Sequence, residues 1–216
     1  SDALSKVQLT TLTEEKVLDK DAELHIKITF DENKHKLEIE DSGCGMTKEE
    51  LVSNLGTIAN SGTLKFLQQA QSENKSAENL IGQFGVGFYS VFMVAERVEL
   101  TTRSWQVDSQ SWEWTSSGGG QYEITPAKYN QRGTRVTIFL KEDSKEFCSK
   151  WKLESIIKKY SNYLPFPVKV NDQTVNQVKA IWTQSKSDVE EDQYKEFYKQ
   201  ISHSTQDPMH YMHFSI

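Results

Sequence analysis

The chain has few of the residues that mark disulfide-stapled, fibrous or membrane-spanning proteins. It contains two cysteines and four prolines in 216 residues, which predicts no disulfide framework. No apolar run approaches the ~18 residues that a membrane span needs. Acidic residues outnumber basic ones by 31 to 25, and the resulting net charge of −6 argues against a general nucleic-acid binder. We therefore expect a globular protein whose partners include neither a membrane nor nucleic acid.

The order of polar and apolar residues predicts an α+β fold. Alternation with a period of two indicates strands, at 24–30, 37–41, 97–103, 111–115, 121–125 and 134–140. A further hairpin is expected around the turn Asn171-Asp172. Because short turns join most of these strands, we expect antiparallel pairing throughout, with helices on one face of the sheet.

Helices are predicted where apolar residues recur three or four positions apart or where helix formers cluster. A capping box of Thr47 and Glu50 should begin one of them. The run 88–95 is apolar on all sides, so we expect it to be a buried helix. The other helical segments are expected at 1–6, 48–55, 145–163 and 189–201.

A glycine-containing loop, Asp41-Ser42-Gly43-Cys44-Gly45-Met46, follows the second strand. A carboxylate buried there needs a partner. The exocyclic amine of adenine would be one, whereas guanine presents an oxygen at that place. The glycines would let a flat base approach the backbone, and Met46 would offer an apolar wall. The alternative is that Asp41 forms an Asx turn at the strand end, which for this motif alone is the more common arrangement.

Two further motifs suggest nucleotide chemistry, although each has an ordinary explanation. The run Gly82-Gln83-Phe84-Gly85-Val86-Gly87 would let backbone N–H groups surround phosphate oxygens, or would act as a hinge. Its spacing matches neither the dinucleotide fingerprint nor the P-loop. In Arg132-Gly133-Thr134, the threonine hydroxyl would share a water with adenine and Asp41, or would simply begin a strand.

Together these motifs resemble the N-terminal ATP-binding domain of the ninety-kilodalton heat shock protein (HSP90) family. Lys159-Tyr160-Ser161-Asn162 and Ala180-Ile181-Trp182 are most similar to its bacterial HtpG and mitochondrial branch. The resemblance implies the Bergerat-type ATPase fold of gyrase, histidine kinases and mismatch-repair ATPases, a mostly antiparallel sheet with helices on one face. Several nearly identical stretches carry it, namely Asp41 to Thr47, Asn54 to Ala59, Ile81 to Ser90 and Arg132 to Thr134.

The resemblance also implies a set of ligand-binding residues. Asp41 would bind the adenine amine and Thr134 would assist through a water, while residues of about 56–87 would form a lid. Met46 and Asn54 would line the base and ribose, and backbone at the glycines and Phe88 would face the phosphates. The complete set comprises Asp41, Gly45, Met46, Asn54, Gly85, Gly87, Phe88 and Thr134.

The function implied is that of an ATP-dependent molecular chaperone, in the bacterial cytoplasm or in mitochondria. ATP with Mg²⁺ would drive lid closure and homodimerisation of the full-length protein, which acts on client proteins. Residues 1–182 would be the nucleotide-binding domain without its first helix and strand, and 183–216 a linker and the start of the middle domain. The family's catalytic glutamate and magnesium-binding asparagine would precede Ser1, so we expect this chain alone to be a poor ATPase. A nucleotide-free scaffold, or another ATPase or kinase of this fold, is the alternative.

Overall fold

The computed structural model describes residues 1–56, 87–178, 180–202 and 204–214. Within these ranges one sheet is formed by β1 Ile26–Asp31, β2 Lys36–Asp41, β3 Ala95–Arg103, β4 Ser111–Ser116, β5 Glu123–Pro126, β6 Gly133–Leu140, β7 Val168–Val170 and β8 Gln173–Thr174. Their spatial order is β5-β4-β3-β6-β2-β1-β7-β8. Every predicted strand is present, with bounds that differ by a few residues.

The pairing of the strands is mostly, but not entirely, antiparallel. Strand β7 runs parallel to β1, with Ile26 opposite Val168 and Ile28 opposite Val170. The expectation of antiparallel pairing throughout is therefore wrong at this position. The chain reaches β7 through a helix, and a crossover of this kind is what allows a strand to join a sheet in the parallel direction.

Alternation along the strands gives the sheet one apolar and one polar face. Residues directly opposite each other in an antiparallel sheet share a face. One row across the sheet consists of Ile28, Ile39, Val136, Leu100, Trp114 and Ile124. The adjacent row points to the other face and consists of Thr29, Glu38, Thr137, Glu99, Thr115 and Glu123.

The described helices are α1 Asp2–Thr13, α2 Lys48–Leu55, α3 Lys150–Tyr160 and α4 Glu191–Ser202. Leu51 and Leu55 of α2 and Leu153 and Ile157 of α3 share one core cluster with the apolar face of the sheet. This burial supplies the main driving force for folding. The predicted α+β fold, with helices packed on one face, is confirmed.

Helix α2 has the bounds that the sequence predicts. The Thr47 hydroxyl accepts a hydrogen bond from the amide of Glu50 at 3.3 Å, and the Glu50 carboxylate accepts one from the amide of Thr47 at 2.8 Å. These reciprocal bonds satisfy two amides that the start of a helix leaves without partners. The capping box therefore fixes where the chain turns from the Asp41 loop into the helix.

The helix predicted at 145–163 is shorter and is preceded by a separate 3₁₀ segment, Glu142–Cys148. Ser149 has extended backbone, and its hydroxyl caps α3 by accepting from the amide of Lys152 at 3.3 Å. This break changes the helical phase, so the apolar residues of 145–163 do not form one continuous helical face. Within α3, Trp151 and Tyr160 are 76% and 71% exposed.

Two other helix predictions need correction. The run 88–95 forms only a 3₁₀ turn, Phe88–Met93, in which no residue is fully buried and Met93 is 78% exposed. It is too short to be covered on all sides, because the chain enters β3 at Ala95. At the other end, α1 continues to Thr13 rather than ending near residue 6, with Leu4 and Val7 fully buried.

The segment after the predicted domain boundary packs on the residues before it. The Tyr163 ring lies 4.7 Å from the Trp182 ring and 6.2 Å from the Phe197 ring, measured between centroids. The Tyr163 hydroxyl also donates to Gln200 Oε1 at 2.8 Å. The division at 182 stays a prediction.

Two substitutions on α3 test which side of that helix supports the fold. Leu153 is 6% exposed, so Leu153→Ala should lower the free energy of unfolding by about 2–5 kcal/mol through lost burial and a residual cavity. Trp151→Ala, on the exposed side, should change it by no more than about 0.5 kcal/mol. Urea unfolding of both variants checks this, and equal losses would contradict the assignment of the two faces.

Candidate functional site

Three polar side chains interrupt the apolar face of the sheet at one end. Asp41 on β2 lies opposite Thr134 on β6, and Thr134 lies opposite Thr102 on β3. Because side chains alternate along a strand, these three lie on the face that packs against the helices, two positions beyond an apolar row. Three adjacent strands therefore place a carboxylate and two hydroxyls side by side where the neighbouring residues are apolar.

The two oxygens of the Asp41 carboxylate have different surroundings. Oδ1 accepts a hydrogen bond from the amide of Gly43 at 2.8 Å, which is the Asx turn that the sequence left as an alternative. Oδ2 receives no hydrogen bond from any residue that the structure describes. The Asx turn and a ligand contact are therefore compatible, since the turn uses one oxygen and leaves the other as an acceptor.

The surroundings of Asp41 disfavour its charged form. Burial raises the pKa of its carboxyl. The Gly43 amide, the N-terminal ammonium and, last, the Arg132 guanidinium only partly oppose this shift. A half-buried acceptor of this kind gains stability from a donor that reaches it. The side chain is thus suited to receive an N–H group from a ligand.

The loop after Asp41 is shaped by packing against β3 and α1. Gly45 has a φ of +58°, and a Cβ atom there would overlap the carbonyl oxygen of Arg103. The Cys44 amide donates to the Ala3 carbonyl at 3.0 Å, and the Cys44 carbonyl accepts from the Trp105 amide at 2.8 Å. Close approach of protein backbone, rather than of a ligand alone, therefore requires glycine at position 45.

Cys44 itself is chemically quiet. Burial raises the pKa of its thiol to about 12, so almost none of it is thiolate at neutral pH. By exposure the side chain is partly buried.

Met46 and Asn54 lie together beside the polar row. The Met46 amide donates to Thr102 Oγ1 at 3.0 Å, and the Asn54 side-chain amide donates to the Met46 sulfur at 3.7 Å. Asn54 belongs to the last turn of α2, which the capping box fixes against the loop. The structure therefore brings both predicted residues to the site that contains Asp41 and Thr134.

The residues predicted to face phosphates are only partly described. The Tyr89 hydroxyl donates to the carbonyl of Leu55 at 3.2 Å, which places the turn containing Gly87 and Phe88 beside the end of α2. The Phe88 side chain packs edge-on against Trp114 with ring centroids 5.6 Å apart. Gly85 and residues 57–86 of the predicted lid lie outside the described residues.

Two residues at the site were missed by the sequence analysis. Arg132 is 2% exposed and its guanidinium donates to the carbonyls of Gly43 and Asp19 at 3.2 and 3.3 Å. No sequence signal distinguishes this buried arginine from a surface one. Thr102 is fully buried, and its place in the period-two pattern of β3 could have identified it as facing the helices.

Neither a metal cluster nor a membrane helix is found in the described ranges. No group of three or more His, Cys, Asp or Glu side chains there could hold a metal ion. No helix in the same ranges is long and apolar enough to cross a bilayer.

Comparison with known proteins identifies the family. The model for histidine kinase-, DNA gyrase B- and HSP90-like ATPases matches residues 17–130, and the HSP90 protein model matches 169–216. The chain therefore belongs to the histidine kinase-, DNA gyrase B- and HSP90-like ATPases. Its resemblance to the HSP90 family and its HtpG branch is confirmed, as is the Bergerat-type fold that the resemblance implies.

Several similar curated proteins are bacterial. The chain is 46% identical to the chaperone protein HtpG of Desulfotalea psychrophila over 215 residues, which is all of this chain and 34% of that protein. It is 46% identical to HtpG of Chlorobium chlorochromatii and 47% identical to HtpG of Desulfitobacterium hafniense, again over all of this chain and over 34% and 35% of the relatives. The chain thus spans about a third of the length of these proteins.

The glycine at position 45 should be indispensable to the loop. Gly45→Ala would force a side chain into the Arg103 carbonyl at positive φ, and we expect it to lower the free energy of unfolding by about 2 kcal/mol or more. Gly119→Ala is the matched control, because no atom lies within 4 Å of its added Cβ. Thermal unfolding checks the pair, and comparable stability of both variants would contradict the loop geometry.

Proposed function

We propose that this chain is the ATP-binding part of an ATP-dependent molecular chaperone of the HSP90 type. The observation that carries the proposal concerns the second carboxylate oxygen of Asp41, which lies at the end of an otherwise apolar face of the sheet. This oxygen receives no hydrogen bond from the residues that the structure describes. Adenine offers an N–H donor on its exocyclic amine, whereas guanine has an oxygen there. A carboxylate acceptor therefore favours adenine, and hydrogen bonds to charged groups are worth about 1.5–3 kcal/mol.

The neighbouring residues fit an adenine nucleotide. Thr134 lies directly opposite Asp41, close enough in register to share a bridging water with the base. Met46 and Asn54 would line the base and ribose. Gly45 would contribute backbone beside the base, and Gly85, Gly87 and Phe88 would present backbone to the phosphates.

When bound, Mg²⁺ would neutralise phosphate charge, as it does in other ATPases. Its ligands would be the phosphates and a residue that the resemblance places before Ser1.

For the whole protein we propose the activity that the relatives' name indicates. ATP binding would favour closure of the lid and homodimerisation, and hydrolysis would reopen the dimer that acts on client proteins. The relatives are bacterial, which supports the bacterial cytoplasm rather than mitochondria as the location. A nucleotide-free scaffold predicts no ATP binding, so the experiment below distinguishes it from the proposal.

Replacing the carboxylate should separate binding from stability. Asp41→Asn should weaken ATP binding at least about tenfold, or 1.4 kcal/mol, because the amide is a poorer acceptor. The same variant should be at least as stable as the original chain. The raised pKa of Asp41 means that its charge costs folding free energy above its unfolded pKa, and asparagine removes that charge.

Calorimetric titration with ATP and urea unfolding measure the two effects. Glu40→Gln is the matched control, since Glu40 is the preceding residue, lies on the opposite face and pairs with Arg135 at 2.5 Å. It should leave ATP affinity unchanged. Equal ATP affinity of the Asp41→Asn and original chains would contradict the adenine role.

A further inference from the structure

Thr102 makes three close polar contacts in a position that water cannot reach. Its side chain is fully buried between β6 and the loop that follows Asp41. Its Oγ1 lies 3.0 Å from the Met46 amide nitrogen, 3.0 Å from the Gly133 carbonyl oxygen and 3.0 Å from Thr134 Oγ1. All three distances are those of hydrogen bonds.

Counting protons fixes the direction of these bonds. A hydroxyl has one hydrogen to donate and two lone pairs to accept with. The Met46 amide can only donate and the Gly133 carbonyl can only accept, so Thr102 accepts from the former and donates to the latter. One lone pair of Thr102 remains, and the contact with Thr134 is a hydrogen bond only if Thr134 donates. If Thr102 donated to Thr134 instead, no hydrogen would remain for the Gly133 carbonyl, and two oxygen acceptors would face each other there.

From this geometry we infer that Thr102 is a positioning residue, which makes Thr134 a hydrogen-bond acceptor toward the site beside Asp41. The Thr134 hydrogen is committed to Thr102, so the lone pairs of Thr134 face away from it. Asp41 and Thr134 are then two adjacent acceptors on the same face of the sheet. Such a pair favours an exocyclic N–H group at the position that faces it and disfavours an oxygen there.

This inference rests on the proposed adenine site and concerns how that site rejects the wrong base. Hypoxanthine carries an oxygen in place of the exocyclic amine and a hydrogen on N1, where adenine has a lone pair. The oxygen is the group that would face Asp41 and Thr134. A Thr134 hydroxyl released from Thr102 could rotate and donate toward that oxygen, directly or through the bridging water. Thr102 would thus contribute to base specificity without contacting the nucleotide.

The experiment compares the dissociation constants of ATP and inosine triphosphate for the original chain, Thr102→Val and Thr102→Ser. Valine has nearly the shape of threonine but cannot accept from the Met46 amide or orient Thr134. We expect the ratio of the inosine triphosphate dissociation constant to the ATP dissociation constant to fall roughly fivefold in Thr102→Val. Thr134 could then donate one hydrogen bond to the oxygen of inosine, and a bond of this kind has an effect of this size. Thr102→Ser keeps the hydroxyl and should restore the original ratio.

A second variant keeps the test decisive if Thr102→Val does not fold. Thr134→Val removes the acceptor and should also lower the ratio, though less than Thr102→Val, because no hydroxyl remains to donate to the inosine oxygen. A ratio that is unchanged in Thr134→Val would overturn the inference. Equal weakening of both nucleotides in a folded Thr102→Val would also overturn it, because that result indicates a purely structural role.

The outcomes also separate this inference from the proposed function. Failure of the original chain to bind ATP would overturn the adenine site and, with it, the inference. If ATP binding depends on Asp41 but the ratio of the two dissociation constants does not change on substitution of Thr102, the proposed function stands and the inference alone is refuted.

Discussion

The register of three strands is the constraint on which the site depends. Because β2, β6 and β3 pair without a shift at this end, Asp41, Thr134 and Thr102 are brought opposite one another on the face that otherwise forms the core. A slip of one residue in any of these strands would turn its polar residue to the opposite face. The apolar rows that hold the helices therefore also determine where the carboxylate is presented. Folding and the proposed recognition of adenine thus depend on the same strand pairing.

Buried polar contacts then hold the loop after Asp41 in place. Thr102 binds the Met46 amide, and Arg132 binds the Gly43 carbonyl of the same loop. Burial lowers the pKa of Arg132, while the neighbouring Asp19 favours its charged form. Groups of this kind are costly to bury unless their partners are well placed. The free-energy cost of burying these groups is consistent with a loop that must keep one defined shape.

The sequence predicted the strands, the α2 capping box and the position of Asp41, because each depends on local pattern. It did not predict the break at Ser149, where a single extended residue changes the helical phase, nor the parallel β7, which depends on where a helix returns the chain. The partners of Arg132 and Thr102 depend on contacts between strands far apart in sequence. Periodicity indicates which face a residue occupies, but only the assembled sheet shows what it contacts there.

The most direct measurement is a crystal structure of this chain with bound adenosine diphosphate. We predict the exocyclic nitrogen of adenine within about 3 Å of Asp41 Oδ2, with Oδ1 still bound to the Gly43 amide. A nucleotide bound elsewhere, or side chains of the protein filling the space in front of Asp41, would contradict the account.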